Sequence, residues 1–255
     1  MSIQLKDFDR WVRGFLNIEE MASVDPSKNG IQVDRQNQSL SKVAFAVDAC
    51  METFRICKEQ QADLLFVHHG LFWGREQVLT DTHYERIRYL ITQDLGLYAV
   101  HLPLDAHPQV GNNAQMAQAL GLTDCSPFGR YKGFHIGIQG MLPEPWSPAE
   151  VIFQLFGEPD QIIRHLPFGK PLVQRIAMIS GGGVHEVEQA IEAGVDLYIT
   201  GDANHVIYHR CMEAGIHVVF AGHYLTETWG PKAVMNKFSE ETGLASCFID
   251  VPTGL

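Results

Sequence analysis

Residues 42–70 align without a gap over residues 175–203, at an offset of 133. This internal repeat restricts the possible folds more than any other feature of the chain. Each copy runs from an apolar stretch through a tight turn into an amphipathic segment, then a second apolar stretch and a turn. That order of periods, two residues and then 3.6, describes a strand–helix–strand unit. Strands joined through a helix lie parallel in one sheet, because a hairpin turn cannot make the connection. Ala44 falls on Ala177 and Asp63 on Asp196. A shorter match continues at an offset of 119, pairing Gly96 with Gly215, Val100 with Val219, Gly111 with Gly230, Ala114 with Ala233 and Met116 with Met235. The drop of 14 between the two offsets gives the first copy an extra stretch, most naturally residues 71–84. It is expected to be a lid, a subunit contact or an ordinary surface loop.

The fold class that follows is α/β: two similar lobes from the βαβ repeat, mixed sheets with flanking helices, and a site in the cleft where both sets of strand ends converge. The first lobe takes residues 1–125, a connecting segment 126–174 and the second lobe 175–255, all within one compact unit. Leu5, Phe8, Val12, Phe15 and Leu16 follow helical spacing and predict an opening amphipathic helix. Asp25-Pro26 and Asn29-Gly30 are turn chemistry, and Ile31 to Val33 a short strand. In the connecting segment, residues 132–142 alternate as a strand, a helix starts near Ser147-Pro148, and residues 161–171 read as irregular. Residues 247–251 predict an edge strand.

Of the 255 residues, 45% are hydrophobic and 19% charged, the profile of a globular protein with a sizeable core. No stretch reaches the roughly 18 apolar residues of a membrane span. The first twenty residues mix acidic and basic side chains without a signal-peptide pattern, which leads to an expectation of a cytoplasmic protein. Five scattered cysteines without a Cys-x-x-Cys pair predict reduced thiols and no thiolate metal site. A net charge of −11 with dispersed Lys and Arg argues against a nucleic-acid partner, and leaves room for a phosphorylated small molecule in a local basic pocket.

Ligands of open α/β sheets bind outside the carboxyl ends of the strands. Those ends carry His68-His69-Gly70, the loop from His101 through Asp105 to His107, Gly201-Asp202, and Gly222-His223-Tyr224 with Glu227. Neighbouring residues of a strand face opposite ways, so His68 and His69 can serve one site only where the strand has ended, which Gly70 permits. Imidazoles and carboxylates without thiolates suit zinc, iron, manganese or nickel in a catalytic setting, and a carboxylate can bridge two ions. Any one of these residues alone would more often be a turn, cap or core residue. Gly181 to Gly183 between a strand and a helix could offer backbone N–H groups to a phosphate, but without a P-loop or dinucleotide spacing a tight turn is the simpler reading. His205 and His209, four apart on a helix, lack the Glu of a zincin motif; one is read as a neighbour of Asp202 and the other as exposed. Trp73, Phe72 and Trp229 could wall a pocket or belong to a core or subunit interface.

Taken in order, Asn29-Gly30-Ile31-Gln32-Val33, Val67-His68-His69-Gly70, His101-Leu102-Pro103-Leu104-Asp105, Gly111-Asn112-Asn113, the Gly181–Gly183 turn, Thr200-Gly201-Asp202 and Gly222-His223-Tyr224 with Thr226-Glu227 resemble the YbgI-type, GTP cyclohydrolase I type 2-like (Nif-three-like) dinuclear metal-binding family, in its short form. The resemblance covers nearly the whole chain. It implies two divalent transition-metal ions held by His68, His69, Asp105, His223 and Glu227, with Glu227 as the bridge. It also implies assembly as a homohexameric ring.

The leading function is a metal-dependent hydrolase acting on GTP, another purine nucleotide or a cyclic amide, with His101 and Tyr224 as catalytic groups and Asp202, His209 and Gly182 beside the substrate or the ligands. Two alternatives stay open. One is a metal-binding, regulatory or scaffold protein without turnover; the other is a metal-dependent nuclease or phosphatase on nucleic-acid ends.

Overall fold

The computed structural model describes residues 2–255. It divides into two compact units, Met1–Leu104 with Pro231–Val251, and Asp105–Gly230 with Pro252–Leu255. In chain order the elements are β1 (Ile3–Gln4), α1 (Leu5–Leu16), β2 (Gly30–Val33), β3 (Ser39–Leu40), β4 (Lys42–Asp48), α2 (Met51–Glu59), β5 (Leu64–His69), α3 (Asp81–Thr92), β6 (Gly96–Ala99), α4 (Leu102–Ala106) and α5 (Asn112–Ala119). Then follow β7 (Thr123–Tyr131), β8 (Phe134–Trp146), α6 (Pro148–Phe156), β9 (Arg164–Pro167), β10 (Val173–Ile179), α7 (Val187–Glu192), β11 (Leu197–Thr200), α8 (Tyr208–Ala214), β12 (His217–Phe220), α9 (His223–Glu227), α10 (Trp229–Thr242) and β13 (Ala245–Phe248).

The first unit is built on a five-stranded sheet in the order β13-β4-β5-β6-β2. β4, β5 and β6 run parallel, as the strand–helix–strand repeat requires, and β2 closes one edge antiparallel. Period-two alternation sorts the side chains onto two faces. Phe45, Phe66 and Tyr98 stand in register across three strands, with ring centroids 5.3 and 6.0 Å apart. Phe8 of α1 and Phe238 of α10 close over them at 5.4 Å from Tyr98 and 6.1 Å from Phe45. All five rings are buried, each worth about 1.5–3 kcal/mol in apolar area removed from water. On the other face Ala44, Ala46, Leu65, Val67, Leu97 and Ala99 pack with Phe54 and Cys57 of α2 and Ile87 and Leu90 of α3.

The second unit repeats the plan on a six-stranded sheet, β7-β8-β10-β11-β12-β9. Its parallel centre is β10-β11-β12, with antiparallel strands on both flanks. Ile176, Met178, Leu197, Ile199 and Val219 pack with Met116 and Ala117 of α5, with Leu120 just past it, and with Val151, Ile152 and Leu155 of α6. The start of α6 is where the sequence predicts it. Ser147 accepts from the Glu150 backbone N–H, and the Glu150 carboxylate accepts from the Ser147 N–H and hydroxyl, ahead of Pro148 at the first helical position.

Three details differ from the sequence reading. The ladders pair Leu64 with Gly96 and Leu197 with His217, so the two copies are offset by 133 at β5/β11 and by 121 at β6/β12, a surplus of 12 rather than 14. Gly215 ends α8 in the left-handed conformation while Gly96 opens a strand; they match in type and differ in role. Set directly after residue 70, a surplus of 12 covers residues 71–82, reaching the first turn of α3 and stopping short of Tyr84. Residues 161–171, read as irregular, contain β9, an edge strand too short to show a period, which ends at Pro167 opposite His217, an edge position that tolerates the missing N–H. Finally, the segment after α5 stays with the second unit, whereas α10 and β13 join the first, β13 pairing parallel to β4.

Candidate metal centre

In the first unit His68 and His69 are the last two residues of β5. The strand does not end before them, as the sequence reading required. Instead its ladder to β6 stops at Val67–Ala99 while its ladder to β4 continues to His69–Asp48. Released on one side only, the strand end brings the two rings within 4.6 Å, centroid to centroid. Gly70 then turns the chain beneath Gln32, whose amide oxygen accepts from the Leu71 and Phe72 N–H groups. A Cβ at Gly70 would lie 2.3 Å from that oxygen, so a larger residue would displace the loop that follows the histidines.

Each ring of this unit is oriented through Nδ1. His68 Nδ1 lies 3.0 Å from the Val100 carbonyl oxygen and His69 Nδ1 lies 2.8 Å from Asp48 Oδ1. His101, just after β6, has Nδ1 2.9 Å from Asp25 Oδ1. Asp25 is buried and also accepts from the N–H groups of Ser27 and Leu102 and the Asn29 amide. Burial alone would raise the Asp25 carboxyl, but the hydrogen bond and charge of His101 and the Asn29 and Ser27 donors outweigh it and hold it below the usual carboxylate range. The Asp25–Gly30 segment, read from sequence as turn chemistry, is therefore also the cradle of His101. Potential ligand atoms of His68, His69 and His101 lie within 4.8 Å of one another. The Trp73 indole stands edge-on to His101 at 5.0 Å, its N–H donated to the Gly70 carbonyl.

In the second unit Asp105 lies on α4 and is buried. Its Oδ1 accepts from Asn112 Nδ2 at 2.9 Å and Ser180 Oγ at 2.7 Å. Asn113 ties the same place together, donating to the Asp105 and Ile136 carbonyls and accepting from the Ser180 N–H. The Asn112-Asn113 pair, legible in sequence as a helix start, thus positions this carboxylate. His223 and Glu227 are four apart on α9 and share a face, with His223 Nε2 3.2 Å from Glu227 Oε1. His223 Nδ1 lies 2.8 Å from Asp202 Oδ1. Burial disfavours the His223 imidazolium, but Glu227 and Asp202 prevail and raise it to about 10.

The triple-glycine turn serves this group by close approach. Gly181 has φ +60°, and a Cβ there would lie 2.1 Å from Glu227 Oε1 and 3.0 Å from His223 Nε2. Its carbonyl accepts from the Gly201 and Asp202 N–H groups, and its own N–H donates to Thr226 Oγ1. A Cβ on Gly182 would stand 3.4 Å from Asp202 Oδ2. Tyr224 is buried, with its N–H on the Leu255 carbonyl. His209 is exposed, its ring set edge-on against Tyr208 at 5.3 Å, and the partner of Asp202 is His223. His107 accepts from the Gln109 and Val110 N–H groups as a turn residue does.

The carboxylates that sequence reasoning passed over are Asp25 and Asp48. Asp48 carried one signal, as the last residue of β4 beside the end of β5; Asp25 carried none, since its partner is 76 residues away. A neutral imidazole that donates Nδ1–H to an oxygen carries its lone pair on Nε2, the state in which histidine binds a cation; His223, raised to about 10, gives up its second proton to reach it. The described residues thus include a His, Asp and Glu set whose chemistry fits a divalent transition metal.

Comparison with known proteins bears on this arrangement. Residues 3–253 match the family described as Duf34/NIF3 (NGG1p interacting factor 3). A protein of Treponema pallidum (strain Nichols) named "GTP cyclohydrolase 1 type 2 homolog" is 38% identical over 98% of this chain and 99% of its own length. The crystal structure of TTHA1606 from Thermus thermophilus superposes with a TM-score of 0.89 at 36% identity, covering 99% of this chain and 100% of that one. A structure described as protein ybgI, of unknown function, does so with a TM-score of 0.90 at 31% identity, again over 99% and 100%. Matched from end to end by sequence and by fold, the chain belongs to the Duf34/NIF3 family.

Proposed function

We propose that the protein is a dinuclear metal-dependent hydrolase, acting on a purine nucleotide such as GTP or on a cyclic amide, with His68, His69, Asp105, His223 and Glu227 as the metal ligands. The observation that carries this reading is the anchoring of His68, His69 and His223 through Nδ1 by a carbonyl or a carboxylate, the outer contact by which ligating imidazoles are oriented. Asp105 is supported in the same way, fixed through Oδ1 by Asn112 and Ser180. The name of the Treponema relative, a GTP cyclohydrolase homologue, supports the substrate class.

Bound divalent ions would lower the pKa of a water and polarise the carbon under attack. The protein's own share is positional. His101, with Nδ1 on Asp25, is oriented to accept a proton at Nε2 and to pass it to a leaving nitrogen, and the Asp25 carboxylate would stabilise the imidazolium so formed. Trp73 shields that ring from water on one side. Tyr224 is the second proton donor in this reading. Free thiols at all five cysteines suit a cytoplasmic setting, and the exposed apolar side chains of Val78, Leu79, Tyr84 and Ile91 suit a homo-oligomer, a hexameric ring by analogy with the family.

The test is metal analysis coupled to turnover. Metal-loaded protein is expected to release formate from GTP or to hydrolyse another member of a panel of nucleotides and cyclic amides. His68→Ala and Glu227→Gln are expected to abolish turnover while the fold survives. Stoichiometric metal without turnover on the whole panel would sink the hydrolase and leave a metal-binding or scaffold protein.

A further inference from the structure

Beside the imidazoles of the first unit lies a cavity of about 520 Å³, bounded by the loop after β5 and the first turns of α3. Its polar lining consists of Glu76, Gln77, Thr80, His83 and Arg86, and Trp73 forms an apolar wall. His83 and Arg86 are three apart on α3 and so share a helix face. Their Nε2 and Nε atoms are both buried and have no hydrogen-bond partner among the described residues. A guanidinium N–H can only donate, and leaving it buried without an acceptor is unfavourable. Glu76 is the one carboxylate of the lining and is exposed, whereas the two nitrogens are buried.

We propose that this cavity is an oxyanion-binding site, taking a phosphate or carboxylate group on Arg86 and His83 with Thr80 as an additional donor. The oxygens of such a group would give Arg86 Nε the acceptor it lacks, and His83 Nε2 as well when that nitrogen carries the proton, and guanidinium matches either group in geometry and charge. Trp73 would give the organic part of a ligand a flat apolar wall. Nothing in this assignment requires a metal, and it stands whether or not the hydrolase reading does.

The test uses the full chain stripped of metal by chelation, so that anions cannot report on bound ions, and titrates it calorimetrically with inorganic phosphate and separately with acetate. Saturable binding of at least one is expected. Affinity should fall about tenfold or more in Arg86→Gln and rise in Glu76→Gln, which removes a repelling charge. Phosphate binding alone assigns a phosphoryl group; binding of both assigns any oxyanion. If Arg86→Gln fails to fold by thermal melting, His83→Asn takes its place with the same expectation. Absence of saturable binding of either anion, or binding unchanged by these substitutions, overturns the proposal. Silence toward both anions with an Arg86→Gln protein of smaller assembly size overturns it too, and identifies the occupant as a second copy of the chain.

Discussion

His69 and Asp202 occupy the same position of the two repeats, 133 residues apart, and each is one half of an imidazole–carboxylate pair 2.8 Å long. In the first unit the histidine stands on the second repeat strand and Asp48 on its neighbour. In the second unit the carboxylate stands just past the second strand, and His223 comes from the helix beyond the third. One backbone plan therefore holds the same pair in reversed order. Asp48→Asn and Asp202→Asn, which remove the charge that orients the ring, are each expected to weaken metal binding roughly 10–100-fold with little change in melting temperature. Competition with a chelator of known affinity reads this; unchanged affinity in both variants would show that the carboxylates are incidental.

Gly181→Ala is expected to be severe for its size. The position has φ +60°, and the new methyl would enter the space of Glu227 Oε1. Strain and overlap together should cost about 2–4 kcal/mol, seen as a lower midpoint in urea. Because Glu227 must move, metal content should fall as well. Alanine at Gly194 (φ +65°), where no neighbour lies within 4 Å, serves as the control: it should show the smaller cost of the backbone alone and keep the metal.

His101→Gln separates two roles for that side chain. As a proton carrier its loss should leave metal stoichiometry intact and lower turnover by roughly 10²–10⁴-fold. Plasma emission analysis of the variant beside the parent decides the matter, since a ligand would take metal with it when removed.

His165 gives a pH dependence remote from the proposed ligands. Burial and the neighbouring His217, 3.1 Å from its Nε2, lower it to about 4 from an ordinary 6.5. A histidine depressed in the folded state binds its proton more readily unfolded. No stability is lost above pH 6.5; below it the unfolded chain takes up a proton that the folded chain refuses, and the loss grows until about pH 4. Allowing for partial exposure, it should total about 2 kcal/mol. Denaturant midpoints measured across that window should fall less steeply for His165→Phe than for the parent; parallel slopes would refute the assignment.

The parallel cores of both units were legible because strands buried on two faces repeat as near-continuous apolar runs, and the repeat doubled the signal. β7 and β9 were not, since a strand rich in turn residues and a four-residue edge strand carry no readable period. The ligand candidates were legible because strand ends are where polar residues interrupt apolar runs. Their supports were harder to see. Asp25 and Asn29 act on His101 across 76 and 72 residues, a distance at which sequence offers only turn propensity. His209, singled out by its helical spacing, is an exposed side chain, and the imidazole against Asp202 is that of His223.

The pairing of β13 with β4 has a bearing on how the molecule is made. Ala245 lies beside Lys42 in the ladder, 203 residues further along the chain, and Phe238 reaches the same sheet from α10. On the ribosome, the first unit is thus completed only after most of the second has been made. Until residues 238–248 emerge, β4 is an open edge and Phe8 and Phe45 are without the ring of Phe238, while the elements of the second unit are nearly all in hand. A nascent chain stalled before Phe238 would expose an edge strand and aromatic surface of the kind that chaperones bind.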